Sequence, residues 1–195
     1  MLTKILKAIT VIVIGGSIVP SLEVRAQDAA LKTNLFYDAT ATVSLGLEFS
    51  LAPGWTMDVL GNLNAWEFRE GRKWKHVLVQ PEARYWFGGT FSGYFFGMHV
   101  HGGTFNVGNV RTPMGLFGDP GPRQHEGWFY GTGISFGRQW VLSDRWNLEL
   151  SVGAGYVGSD YRIYECIECG SFLGRAHDDY FGITKATLSL VLIIF

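Results

Sequence analysis

His76, Gln80, Glu82 and Arg84 stand at even positions of one stretch, and His99 and His101 stand two residues apart in the next. In an extended strand successive side chains point to opposite faces, so each set shares a face. Glu48, Asp58 and Glu149 sit at equivalent positions of other alternating stretches, together with Lys32 and Asp38. Three chemistries are open to such groups. A histidine beside a carboxylate and the Ser135 hydroxyl would suit acyl transfer. His99 and His101 with Glu82 or His76 would suit a metal ion. A set of buried acids paired with Arg84 would instead be structural, because charges taken out of water must be paired. No stretch carries a recognisable acyl-transfer motif, and no third metal ligand is fixed by spacing. The sequence therefore favours the paired network, with no catalytic residue, metal or cofactor assigned.

Three further groups could do chemistry. Cys166-x-x-Cys169 holds the only cysteines. In an exported chain such a pair favours a disulfide, with a metal pair and free thiols as the other readings. Arg69, Arg72, Lys73 and Lys75 gather in a loop beside Phe68 and Trp74. Cations next to aromatics at a membrane rim suit the phosphates of lipopolysaccharide, and an ordinary solvated loop is the alternative. Asp160, Glu165, Glu168, Asp178 and Asp179 could attract calcium, yet their spacing matches no EF-hand loop.

The elements that would position these residues are strands. Eight segments alternate with period two: Leu31–Ala39, Val43–Leu51, Trp55–Asn64, His76–Phe87, Tyr94–Phe105, Trp128–Gln139, Trp146–Tyr156 and Tyr180–Phe195. In Trp146–Tyr156, for example, Trp146, Leu148, Leu150, Val152, Ala154 and Tyr156 oppose Asn147, Glu149, Ser151, Gly153 and Gly155. Short turns are expected at 52–54, 88–93 and 143–145. Longer loops are expected at 67–75, 106–127 and 157–179, while Thr40–Thr42 is a short link where a long one is usual. Alternation at about ten residues per segment is the signature of a membrane-spanning β-barrel. The apolar face would meet lipid, and the glycine-rich polar face would line a narrow lumen. Trp55, Trp66, Trp74, Trp86, Trp128, Trp140, Trp146 and Tyr156 fall near strand ends, as interfacial aromatic girdles do.

The closing segment, Tyr180–Phe195, has no charge after Lys185 and ends on an aromatic residue. Its terminal Phe195 resembles the signal read by the bacterial barrel-assembly machinery. Its pattern is not clean, since Leu188, Leu190 and Leu192 have the parity opposite to Phe195. A bulge or a packed lumen would account for that.

Composition agrees with a compact β-protein. The chain of 195 residues has 26 Gly, 7 Trp, 8 Tyr and 14 Phe, and 17% charged residues with a formal charge of −1. The charged fraction is below the usual quarter, and no basic excess points to nucleic acid. Residues 1–26 read as a secretory signal peptide: Lys4 and Lys7, an apolar run from Ala8 to Leu22 broken by Gly15, Gly16 and Pro20, and a small-residue site at Val24-Arg25-Ala26. The domain expected after it is 27–195. No later segment has the ~18 consecutive apolar residues of a transmembrane helix.

The runs Lys32–Thr40, Trp74–Trp86 (WKHVLVQPEARYW) and Tyr180–Ala186 resemble those of an uncharacterised family of small outer-membrane barrel proteins of Bacteroidetes, a domain of unknown function. The resemblance spans the chain after the signal peptide. It implies a barrel fold and an outer-membrane location in a Gram-negative bacterium, and supplies no catalytic residues. It also hints at association with surface-appendage proteins.

The expectation is an all-β, eight-stranded antiparallel up-and-down transmembrane barrel, a monomer with a closed polar lumen. Its termini and short turns would be periplasmic and its long loops extracellular. An eight-stranded barrel is just wide enough for side chains to fill it. The expected role is therefore structural or interactive, with loops that bind a surface partner or lipopolysaccharide. The alternatives are a lipid A-modifying or other acyl-transfer enzyme of the outer membrane, and a small pore.

Overall fold

A computed structural model describes residues 29–68, 72–109, 123–165 and 170–194. The expected signal peptide (residues 1–26), Arg69, Cys166, Cys169 and Phe195 lie outside these residues. Eight long strands follow one another: β1 (Ala29–Asn34), β2 (Val43–Ala52), β3 (Trp55–Asn64), β4 (Arg72–Trp86), β5 (Gly93–Gly108), β6 (Gln124–Val141), β7 (Trp146–Tyr164) and β8 (Phe172–Ile194). A two-residue ladder, Glu67–Phe68, pairs back onto the start of β4. Each strand pairs antiparallel with the next, and β1 pairs with β8, so the sheet closes into an up-and-down barrel.

The closure is staggered. Ala30 pairs with Glu48, Glu48 with Asp58, Asp58 with Glu82, Glu82 with His99, His99 with Gly133, Gly133 with Gly155 and Gly155 with Gly182. The partner of Ala30 on β8, however, is Ile193 rather than Gly182. One circuit thus climbs along β8, which is the shear a tilted barrel requires.

Period two decides which side chains enter. Leu45, Leu47, Met98, Val100, Ile134, Phe136 and Val152 point outward, each more than half exposed. Between them, Glu48, Asp58, Glu82, Arg84, His99 and Glu149 point inward and are 1–3% exposed. Glycines make room for this filling. A Cβ at Gly97 would lie 2.8 Å from the Glu82 carboxyl carbon and 2.5 Å from Ser135 Oγ. One at Gly133 would lie 2.7 Å from His99 Nε2.

Four features depart from the expected pattern. First, β1 ends at Asn34 and residues 35–39 form a short helix, α1 (Leu35–Ala39). The Asn34 side chain accepts the Phe36 N–H at 3.2 Å, an N-cap that diverts the chain from the ladder. The helix supplies the long link that Thr40–Thr42 alone did not. Second, the strands reach into both ends of the expected loops at 106–127 and 157–179, since β5 runs to Gly108, β6 starts at Gln124, β7 runs to Tyr164 and β8 starts at Phe172. The apolar alternation stops near Trp128, Tyr130, Tyr156 and Phe181, but pairing continues with charged outward residues: Glu126, Asp160, Arg162, Arg175, His177 and Asp179.

Third, β8 carries a bulge. Gly153 pairs with Lys185 and Ala154 with Ile183, leaving Thr184 as the extra residue. Phe181 and Ile183 point outward below it in sequence; Leu188, Leu190 and Leu192 keep to the outer side beyond it, while Lys185, Thr187, Ser189 and Val191 are buried. An extra residue reverses the parity of everything that follows, which accounts for the irregular terminal pattern. Fourth, Trp86 is no girdle residue. It is 2% exposed inside the barrel, whereas Trp55, Trp66, Trp128 and Trp146 are 43–53% exposed.

Candidate functional site: the filled lumen and the tall outer wall

The lumen is built in three layers. At the end carrying the short turns, Trp86 packs at a tilt against Phe95 (ring centroids 4.8 Å) and Phe91 (6.2 Å). Phe91 comes from the turn between β4 and β5, and its carbonyl accepts a hydrogen bond from Asn147 Nδ2 at 3.0 Å. Ala30, Val191 and Ile193 complete this apolar floor.

The middle layer is ionic, and Arg84 is its hub. Arg84 Nε donates to Glu82 at 2.6 Å, Nη2 to Asp58 at 2.6 Å, and Nη1 to Glu48 and Glu149 at 3.0 Å each. Its guanidinium lies 4.5 Å over the Phe95 ring, seating the ionic layer on the aromatic floor. Lys32 Nζ bonds Glu149 at 2.7 Å, pairs with Glu48 and stands 3.9 Å from Asp58. Lys185 Nζ reaches the other oxygen of Glu82 at 2.8 Å. Thr56 donates to Glu48 and accepts from Trp86 Nε1 at 3.0 Å. His99 holds the far side, with Nδ1 3.5 Å from Glu82 and Nε2 3.0 Å from Thr184 Oγ1. Three cations and four carboxylates from six strands are thereby gathered in one buried cluster. Such a cluster is costly to desolvate, and it is tolerable only because every charge meets an opposite one and most meet two or more.

The upper layer is aromatic again. Phe105, Val107, Phe129, Val157 and Tyr161 form a buried group, with Trp74, Leu78, Ile163 and Tyr180 against it. His101 lies on this side of the ionic layer, its ring 5.6 Å from His99 and 6.3 Å from Phe129.

The expected lumen set is thus divided. Glu48, Asp58, Glu82, Arg84, His99 and Glu149 are brought together. His76, Gln80 and His101 share the inward face but join no ion pair in the cluster; His76 packs by the rings of Tyr37 (6.5 Å) and Trp74 (6.3 Å). Gln80 Nε2 and His101 Nδ1 make no hydrogen bond to the protein. Ser135 is buried and its Oγ bonds no protein group, so no histidine is placed to activate it. Among the described residues no group of three or more His, Cys, Asp or Glu side chains is spaced to hold a metal.

Lys185 is the cation that alternation misses. The parity set by Phe181 and Ile183 would turn it outward, and only the bulge at Thr184 brings it and Thr184 inside together. The irregular leucines of that strand were the readable signal.

The basic rim set is divided by parity. Lys73 and Lys75 share the register of outward Val77 and Val79, while Trp74 turns inward against the upper aromatic layer. Trp74 therefore cannot present its ring to a ligand at the outer rim. Of Arg72, only the strand position is described.

The outer wall is uneven in height. β1 to β3 have 6, 10 and 10 residues, whereas β5 to β8 have 16, 18, 19 and 23. On the outer face of the tall side, above Trp128, Tyr130, Tyr156 and Phe181, His177 Nδ1 lies 3.0 Å from Asp160 and its Nε2 3.3 Å from Asp179. Asp179 also accepts from the Tyr156 hydroxyl. The hydrogen bond to Asp160, with the charges of both acids, raises the His177 pKa above its ordinary value.

Fold and lumen define the chain as a closed, eight-stranded antiparallel barrel with an ion-paired core. It belongs to the family described as Protein of unknown function (DUF3575), which matches residues 10–194. No curated protein and no solved structure matches it.

Proposed function

We propose that this barrel spans the outer membrane of a Gram-negative bacterium as a closed anchor, and that its tall wall and long loops bind a surface partner or lipopolysaccharide. The observation that carries this reading is the inversion of the usual burial pattern. Apolar side chains cover the outside of every strand, and buried charge fills the inside. Soluble proteins seldom expose a continuous apolar surface beyond a few hundred Å². A closed barrel is the β-structure that satisfies all its backbone groups in lipid. The ionic layer between two aromatic layers supports a sealed interior rather than a conduit. The barrel-assembly machinery would deliver the chain after export, and Arg69, Arg72, Lys73 and Lys75 remain candidates for contact with lipopolysaccharide.

Fractionation of cells with gel analysis of boiled and unboiled samples tests the placement. The expected result is recovery in the outer-membrane fraction and a mobility shift on boiling. Recovery as a soluble periplasmic protein without a shift would defeat it. Deleting the loops tests the role: partner or lipopolysaccharide binding should be lost while the barrel still shifts on boiling. Ion conductance well above that of sealed eight-stranded barrels would defeat the closed lumen.

A further inference from the structure

Arg162 of β7 and Arg175 of β8 are direct cross-strand partners. Both are exposed, and both have the outward parity of Tyr156 and Phe181. Like charges placed opposite one another repel, so this pair calls for a counter-charge. No described acid forms an ion pair with either arginine. Asp160 and Asp179 face His177, and Asp178 accepts the Tyr161 hydroxyl at 2.6 Å on the inner side. Glu126 is the register partner of Arg162 on β6 but forms no ion pair with it. Immediately above, Tyr164 and Phe172 are also paired, their rings 6.1 Å apart and edge to face.

Position narrows the missing anion. Arg162 is six residues beyond Tyr156 in the aromatic belt, roughly 20 Å along the strand and about 15 Å in height for a strand tilted near 40°. The phosphate layer of an ordinary phospholipid extends only about 5–8 Å above the hydrocarbon. A phosphorylated sugar headgroup stands taller and carries both features this site matches. Its phosphate suits the planar fork of a guanidinium, and its sugar rings suit the aromatic pair, of which Phe172 is exposed and Tyr164 half-buried. We propose that Arg162 and Arg175, with Tyr164 and Phe172, form a binding site on the outer wall for the phosphorylated saccharide headgroup of an outer-leaflet glycolipid. This rests on the membrane-spanning reading above and adds to it a site on the tall wall, apart from the 67–75 segment.

The test uses the full chain in detergent, with its barrel state checked by the boiling shift. Binding is measured to mixed micelles containing lipopolysaccharide with a phosphorylated core oligosaccharide, the same lipopolysaccharide after dephosphorylation, or phosphatidylglycerol. The wild-type protein should prefer the phosphorylated form. R162Q/R175Q should weaken that binding about tenfold or more, and R138Q, at the opposite end of the barrel wall, should not. Millimolar inorganic phosphate should fail to displace the glycolipid. Unchanged affinity in R162Q/R175Q, equal binding to phosphatidylglycerol, or displacement by inorganic phosphate would each overturn the site while leaving the barrel intact. A wild-type chain that shows no boiling shift and does not partition into lipid would overturn the membrane reading and the site with it.

Discussion

Arg84 and the pair Arg162–Arg175 are the same side chain in opposite settings. Arg84 is 1% exposed, has four carboxylates within 3.0 Å and rests on an aromatic ring. Arg162 and Arg175 stand exposed beside each other and form no ion pair among the described residues; Asp160 and Asp179 are engaged by His177, and Glu126 stands opposite Arg162 without pairing to it. Inside the barrel, charge fills the space, and every contact it makes is to the protein itself. On the wall, charge is left available. The contrast separates residues that hold the barrel together from residues that can hold something else.

Removing the hub should break the inner half of this comparison with the largest effect. Arg84→Met leaves Glu48, Asp58, Glu82 and Glu149 with only Lys32 and Lys185 nearby. Deleting one partner of a buried ionic network typically costs about 3–5 kcal/mol. The temperature at which the folded form converts to the boiled form should fall sharply, or folding should fail. Adding Glu48→Gln and Glu149→Gln should recover part of the loss, because those acids then need no counter-charge. An Arg84→Met protein as heat-stable as the parent would show that the cluster contributes nothing. By comparison, R162Q/R175Q should shift stability by no more than about 0.5 kcal/mol, as exposed substitutions usually do.

Space is the second constraint on the interior, and it gives an intermediate effect. Gly97 lies on the inner face between Glu82 and Ser135 of the two neighbouring strands, where a Cβ would already crowd both. Gly97→Val should cost about 1–3 kcal/mol by overpacking, read in the same thermal conversion. At Gly174, where a Cβ would meet nothing within 4 Å, Gly174→Ala should change little. Equal losses at the two sites would mean that glycine serves the backbone rather than the packing.

Much of this was readable in the chain, for a definite reason. Alternation reports only which face a side chain takes, and that was enough to assign Glu48, Asp58, Glu82, Arg84, His99 and Glu149 to one interior. It does not give heights, so it groups His76 and His101 with acids that lie in another layer. It could not follow a strand past the end of the apolar band, because Asp160, Arg162, Arg175 and His177 look like loop residues although they pair in register. A bulge is invisible to parity except as an anomaly, which is how Lys185 was missed. Trp86 and Trp74 show a different limit: tryptophan near a strand end fits a girdle, and only the register shows that both rings turn inward.

The smallest effect concerns the acids that the arginine pair does without. Asp160 and Asp179 are held by His177, so the top of the β7–β8 hairpin should be tied more firmly when His177 carries its proton. Its pKa is raised in the folded chain, first by the hydrogen bond to Asp160. The folded state therefore binds that proton more tightly than the unfolded one. The contribution is full below the ordinary histidine value near 6.5 and fades as pH rises through the raised value. Amide exchange over 157–164 and 172–182, corrected for the intrinsic rate at each pH, should show protection that declines across that window. H177Q should give a flat profile, while exchange near Arg84 should not respond in either protein. A decline that persists in H177Q would assign the pH dependence to another group and free Asp160 and Asp179 to serve as counter-charges for Arg162 and Arg175. The arginine pair would then have counter-charges within the chain, and the glycolipid site would lose its support.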